Sequence, residues 1–241
     1  EPDNKALYHK LFSEADLILV LSRQWQRWIN DALGLQDKIQ VLYNPCPKVA
    51  RRADLRKNHI LFAGTIIPRK GYETLLRGFA IIADKYPQWT IVFAGNGEIE
   101  KARSMAVELC IENQVEFKGW ISGIEKVRVF QEASIYCLAS DGEGFPMGVL
   151  DAWAYGLPCV VTPVGGLPDI VEDGENALVF PVGNVEILSQ QLEKLISNVE
   201  LRTKISQASI ELADNTFNIK KINMELGQIY ESLYKQKSIL C

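Results

Sequence analysis

Short apolar runs of strand length alternate along this chain with longer stretches whose apolar residues recur every three or four positions. The pattern predicts strands at 17–22, 39–43, 59–63, 90–94, 114–117, 134–138, 158–161 and 177–180. Helices are predicted at 23–33, 72–86, 98–112, 124–132, 147–155, 184–197, 199–213 and 218–237. Such alternation is the signature of βα units folded around a parallel sheet. The stretch YETLLRGFAIIADKY shows the helical period well, with Leu75, Leu76, Phe79 and Ile82 on one face. Gly71 before it and Pro87 after it punctuate its ends.

Residues 44–58, NPCPKVARRADLRKN, break the rhythm with two prolines, little apolar content and several basic side chains. They read as a linker. Too few elements precede it for a parallel-sheet domain with its own core, whereas a complete α/β domain follows. The resulting division is 1–45 as the remnant of a first domain, 46–58 as linker, 59–217 as the main domain and 218–241 as a terminal helix. The basic cluster Lys48, Arg51, Arg52, Arg56 and Lys57 is expected to be solvated. Weak attraction to an anionic membrane surface is the sharper alternative.

Composition narrows the class. At 241 residues the chain can bury a sizeable core, and 47% hydrophobic with 23% charged residues is ordinary for a globular protein. A net charge of −4 gives no whole-chain attraction to nucleic acid. No apolar run approaches the ~20 residues of a membrane helix. The five cysteines, Cys46, Cys110, Cys137, Cys159 and Cys241, form no CxxC or Cys/His cluster. They are expected to be reduced, buried small hydrophobes of a cytoplasmic protein, and no metal site is expected. The start at Glu1, with neither initiator Met nor signal pattern, reads as the start of a fragment.

Two strand-to-helix turns carry candidate chemistry. In HILFAGTIIPRKGYETLL a strand gives way to Gly64, a loop with Arg69 and Lys70, then Gly71 and a helix. A helix N-terminus offers unpaired N–H groups and a positive dipole end to phosphate, and a lysine adds charge. Taken alone, this loop is as well explained by a solvated turn, and it is not a Walker A sequence. The second turn is SDGEGFPMGVLDAWAYGLPCVVTPVGG, residues 140–166, with Glu143 and Asp151 eight positions apart. Carboxyl ends of strands are where open α/β sheets bind ligands. Gly142, Gly144 and Gly148 let backbone approach a ligand closely. Dipole complementation accounts for Asp151 near a helix start, but poorly for Glu143, which precedes the helix between glycines. Two carboxylates accepting from vicinal hydroxyls, with amides between them for phosphate, fit a sugar nucleotide.

Other chemistries fit less well. Asp141-Gly142-Glu143 mimics a metal-binding Asp-x-Asp, with nothing else to support a cation. GNGEIEKAR lacks the third glycine of a dinucleotide fingerprint. His9 and His59 lie outside both turns, so a Ser–His–acid hydrolase lacks its base.

The ordered motifs FAGTIIPRKGYETLLRGF, IVFAGNGE, VEFKGWIS, residues 140–166 and GLPDIVEDGENALVFPVGN resemble the retaining glycosyltransferases of family four, which have the GT-B fold. The resemblance covers essentially the whole chain. It implies a Rossmann-like domain with a central parallel sheet, plus remnant βα units of a second Rossmann-like domain. The family's Glu-x7-Glu signature falls on Glu143 and, one methylene shorter, Asp151. By this similarity Glu143 holds the donor sugar and Asp151 the ribose diol, and Lys70, helped by Arg69, neutralises the departing diphosphate. Gly64, Gly144 and the amides of Phe145, Met147 and Gly148 cradle sugar and phosphate; Pro146 has no N–H to give. Ile121 and Trp120 are candidates for the nucleobase. Thr65 stands where the family often has Arg. No cofactor or metal is implied.

The implied function is donor binding for transfer of a hexosyl-type group from a UDP-sugar to a glycan or lipid-linked acceptor, the acceptor being held by a missing N-terminal domain. Alone, the chain is expected to bind donor without transferring. The alternatives are a sugar-nucleotide epimerase or hydrolase of the same plan, and a non-catalytic nucleotide-sugar module. The final helix, with Ile222, Met224, Leu226, Ile229, Leu233 and Tyr234, is expected to lack part of its apolar partner. Base, sugar, acceptor and oligomeric state are not specified by the sequence.

Overall fold

A computed structural model describes residues 3–240. The chain opens with α1 (Asp3–Glu14), β1 (Ile18–Val20), α2 (Arg23–Leu33) and β2 (Ile39–Val41). β1 and β2 pair in parallel, Ile18 opposite Ile39 and Val20 opposite Val41. A small core of Val20, Ile29, Leu33 and Ile39 joins them to α2. Ser22 caps α2 by accepting from Trp25 N, and Gly34 at φ 66° ends it.

The large sheet contains β3 (His59–Ala63), β4 (Thr90–Ala94), β5 (Val115–Gly119), β6 (Ile135–Leu138), β7 (Cys159–Val161) and β8 (Leu178–Val179). Its order is β5-β4-β3-β6-β7-β8, and every pairing is parallel. The helices are α3 (Tyr72–Ala80), α4 (Ile99–Glu108), α5 (Gly123–Glu132), α6 (Met147–Ala154), α7 (Val185–Ser197), α8 (Val199–Glu211) and α9 (Ile219–Leu240). Ile60, Phe62, Ile91 and Phe93 point into one core, and Leu61, Val92 and Ala94 into the other. Both faces are therefore covered, which is why the strands read as unbroken apolar runs rather than as alternation. This is the expected α/β class, and among the described residues no helix is long and apolar enough to cross a membrane.

Several expectations need correction. α3 stops at Ala80 instead of 86: Ile81 is exposed, Ile82 turns back into the core, and a 3-10 turn at Ala83–Lys85 leads to Pro87. Cys110 is exposed, not buried. It occupies the left-handed position (φ 57°) that terminates α4, where Ile111 N donates to Ala106 O and the side chain faces outward. Cys46, Cys137 and Cys159 are buried as expected; Cys241 lies outside the described residues.

The basic segment 44–58 is not simply solvated. Arg56 donates to the carbonyls of Phe130 (3.0 Å), Ala133 (2.5 Å) and Tyr155 (2.5 Å). Arg51 donates to Ala154 O at 2.8 Å and pairs with Asp214. Arginine's fork suits it to collecting carbonyls at helix and strand ends, so these two stitch the segment to α5 and α6. Along α9, Ile222 and Ile229 are buried, whereas Met224 and Tyr234 are exposed.

Candidate functional site

The chain runs β3, β4, β5 outward in one direction, then returns to place β6 on the other side of β3. Beyond the carboxyl ends of β3 and β6 the connecting loops diverge, the position where doubly wound sheets leave a crevice. A cavity of about 570 Å³ opens there.

Close backbone approach shapes its walls. A Cβ on Gly71 would lie 1.9 Å from Ala139 O, and Gly71 adopts φ 70° besides. Only glycine there lets the turn after Lys70 lean on the end of β6. The contact is then stitched: Arg69 O accepts from Asp141 N at 2.8 Å and from Ser140 Oγ at 2.9 Å. From the other side Thr162 Oγ1 donates to Ser140 O at 2.6 Å, and Gly166 N to Gly144 O at 2.8 Å. The glycine-rich loop carrying Glu143 is therefore held on both flanks.

Glu143 is nearly covered, its side chain 8% exposed. Its Oε1 accepts from Lys70 Nζ at 2.6 Å and lies 2.8 Å from Ser140 Oγ, whose single proton is shared between this carboxylate and Arg69 O. Oε2 lies 3.8 Å from Arg69 Nη1, beyond hydrogen-bond distance. Asp151 sits one turn into α6, with Leu150, Trp153 and Ala154 fully buried behind it as the pattern predicts. Both its oxygens accept from Lys126 Nζ, at 2.9 and 2.8 Å. The cavity thus holds two ammonium–carboxylate pairs.

Three helix starts converge here: α3 after Lys70, α5 after Ser122 and α6 after Pro146. First-turn amides have no partner within their own helix. Neither Ser122 nor Pro146 supplies a side-chain cap. Under Gly148 the fully buried Tyr136 donates from Oη to Ala63 O at 3.3 Å. Burial, reinforced by Cys159 and the two carboxylates, pushes its hydroxyl well above its ordinary range, so it stays protonated.

Eight of the ten residues named from the sequence line this cavity: Gly64, Lys70, Ile121, Glu143, Phe145, Met147, Gly148 and Asp151. Arg69 and Gly144 are not part of the lining. Arg69 turns instead to Gly142 O, a contact made from Nη1. Trp120 is on the rim and 75% exposed. Sequence reasoning missed Lys126, Gly95, Ser122 and Gly123. The loop GWISG follows β5 and opens α5, so the same strand-end rule that singled out the other two turns would have found it. His59 is half-buried at the start of β3, the opposite end of the strand, and burial lowers its pKa.

Residues 48–212 match the family described as Glycosyl transferases group 1. An uncharacterized glycosyltransferase from Haemophilus influenzae is 36% identical over 173 residues, which is 70% of this chain and 48% of that protein. A phosphatidyl-myo-inositol mannosyltransferase from Mycobacterium leprae is 26% identical over 218 residues, or 88% of this chain and 57% of its own length. The chain spans about half the length of these curated relatives. Among solved structures, Anabaena HepE in complex with UDP superposes with a TM-score of 0.86 at 20% identity, covering 95% of this chain and 68% of that one. A sucrose-phosphate synthase from Thermosynechococcus elongatus gives 0.84 at 21%, covering 98% and 63%. Likeness at those identities establishes the fold: both neighbours share the GT-B architecture.

Proposed function

The chain belongs to the group 1 glycosyl transferases, and from that premise we propose that it is the donor-binding half of a retaining family-four enzyme that takes a UDP-sugar. The observation that carries the reading is the convergence of Lys70, Glu143, Lys126 and Asp151 in one cavity at the sheet's switch point. HepE, a fold neighbour, has been crystallised with UDP and with UDP-glucose, which supports the choice of nucleotide.

Each group has a role within this reading. Asp151 keeps lone pairs beyond its two contacts to Lys126 and accepts from the ribose diol. The diphosphate lies against Lys70 and the first-turn amides of α6. Glu143 Oε2 accepts from hydroxyls of the hexosyl group. In the transfer, the bond between the sugar's anomeric carbon and phosphate oxygen breaks, and its electron pair departs with the diphosphate. The acceptor oxygen bonds to that carbon and passes its proton to the departing diphosphate oxygen. Lys70 stabilises the charge that grows on the leaving group, where preorganised electrostatics is most effective. Positioning supplies the rest. No resident metal enters this scheme, and the acceptor is a glycan or a lipid-linked acceptor.

Calorimetry with UDP and UDP-glucose tests the reading. Both should bind, and Glu143→Ala should weaken UDP-glucose more than UDP. Equal losses would remove Glu143 from the sugar. No binding of UDP-, GDP- or ADP-sugars by the wild-type chain would overturn the donor assignment.

A further inference from the structure

The turn Gly95-Asn96-Gly97-Glu98 after β4 lacks a dinucleotide fingerprint, yet it is built against the loop that carries Lys70. Resting on the donor reading above, we propose that Tyr72 and Glu98 are positioning residues: they join this turn to the start of α3, so that Lys70 is held where it meets the donor diphosphate.

The two loops lie backbone to backbone. A Cβ on Gly95 would fall 1.8 Å from Gly64 O, and one on Gly97 would fall 2.3 Å from Ile66 O. Gly64 and Gly95 both line the cavity. Gly64 N donates to Ala94 O at 2.9 Å and Ile66 N to Asn96 O at 2.7 Å, and Glu98 N donates back to Ile66 O at 2.7 Å. These backbone ties end at Ile66, short of Lys70. The next tie is made by side chains, Tyr72 Oη donating to Glu98 Oε2 at 3.0 Å.

Helix capping does not account for that bond. Glu98 is the N-cap of α4, but its side chain caps nothing in its own helix. One of its oxygens serves Tyr72 and the other accepts from Lys101 Nζ at 2.9 Å. Tyr72, the first residue of α3, is 1% exposed, so its hydroxyl needs a partner within the protein. A charged acceptor makes that bond stronger than a neutral one would.

Lys70 is thereby placed ahead of two consecutive anchors. Gly71 is pressed against Ala139 O at the end of β6, and Tyr72 is tied to the turn after β4. Neither Tyr72 nor Glu98 lines the cavity, so both act through Lys70. Binding groups work only when held within about 0.5 Å of the productive geometry, and releasing Tyr72 loosens that hold. A purely structural tie would lower stability and leave the choice among ligands alone.

Displacement calorimetry with UDP and uridine tests the proposal on the wild-type chain, Y72F, E98A, E98Q, K70A and Y72F/K70A, each also melted by circular dichroism. Y72F keeps the buried ring and is the decisive variant. Y72F and E98A should each lose about fivefold in UDP affinity, the equivalent of one net hydrogen bond, while uridine stays within about twofold. E98Q keeps a carbonyl oxygen for Tyr72 and should bind UDP as the wild type does. On the K70A background Y72F should cost UDP nothing further, because both changes act through the same ammonium. Equal losses for UDP and uridine overturn the proposal, as do wild-type UDP affinity in Y72F, an E98Q as weak as E98A, or an undiminished Y72F loss on K70A. A wild-type chain that binds no UDP removes the donor reading and this proposal with it; UDP binding indifferent to Tyr72 removes this proposal alone.

Discussion

Replacing Gly148 with alanine sets one methyl group against the floor of the cavity. The added Cβ would lie 2.1 Å from Tyr136 Oη, 3.1 Å from its Cζ and 3.0 Å from Ala63 O. Gly148 sits in the first turn of α6 with ordinary helical backbone, so the cost is steric rather than conformational. Tyr136 is fully buried and cannot swing outward without displacing its neighbours. Overpacking of this kind costs about 1–3 kcal/mol. Dislodging the hydroxyl from Ala63 O adds about 1 kcal/mol. The expected destabilisation is therefore about 2–4 kcal/mol. Tyr136→Phe alone should cost about 1 kcal/mol, the value of its hydrogen bond. In G148A/Y136F the 2.1 Å clash has no atom to meet, and only the contacts at 3.1 and 3.0 Å remain. The double variant should accordingly be more stable than the sum of the singles predicts, by roughly 1–2 kcal/mol. Urea unfolding of all four proteins by far-ultraviolet circular dichroism measures this coupling. Additivity within about 0.5 kcal/mol would refute the steric account, as would a Gly148→Ala variant of wild-type stability.

Other substitutions test other contacts. Lys126→Met should weaken UDP about three- to tenfold, because Asp151 loses the partner that orients it, and should leave 2′,3′-dideoxy-UDP nearly unchanged; equal losses for both nucleotides would place Lys126 elsewhere. Arg56→Met should destabilise the fold by about 3 kcal/mol in thermal unfolding, since carbonyls at the ends of α5 and α6 lose a charged donor. His59 has its pKa lowered chiefly by burial, with Lys57 adding to it and Glu116 and Glu132 opposing. Its stability contribution is fully present above the ordinary histidine range and lost as pH falls toward the lowered folded value. His59→Gln should flatten that part of the stability–pH curve. Iodoacetamide mapped by peptide mass should label Cys110 well before Cys46, whose thiol burial pushes up to about 12, and before the buried Cys137 and Cys159.

Much of this was legible in the chain because a doubly covered parallel sheet writes itself as apolar runs. Ile60 to Phe62 and Ile91 to Phe93 are buried whichever way they point, so periodicity finds them without knowing the partners. Glu143 and Asp151 stood out as carboxylates that packing did not require, and the structure brings both to one cavity with Lys70. Lys126 did not stand out. It is 25 positions from Asp151, and the two pair only because the loops after β5 and β6, strands on opposite sides of β3, both open onto the crevice. Arg51 and Arg56 misled for a different reason: basic content in a proline-bearing stretch reads as solvated, yet guanidinium groups serve carbonyls at the ends of buried elements. Helix ends blurred where apolar residues continued past them, as Ile81 and Ile82 do beyond Ala80.

All residues lining the cavity fall between Ala63 and Asp151. One uninterrupted stretch of chain therefore supplies the whole lining, while Thr162 and Gly166, beyond β7, brace the loop that carries Glu143. A pocket encoded that way can be inherited as a cassette. On the proposed donor reading, exchanging 63–151 together with the bracing loop at 162–166 should carry donor preference from one relative to another.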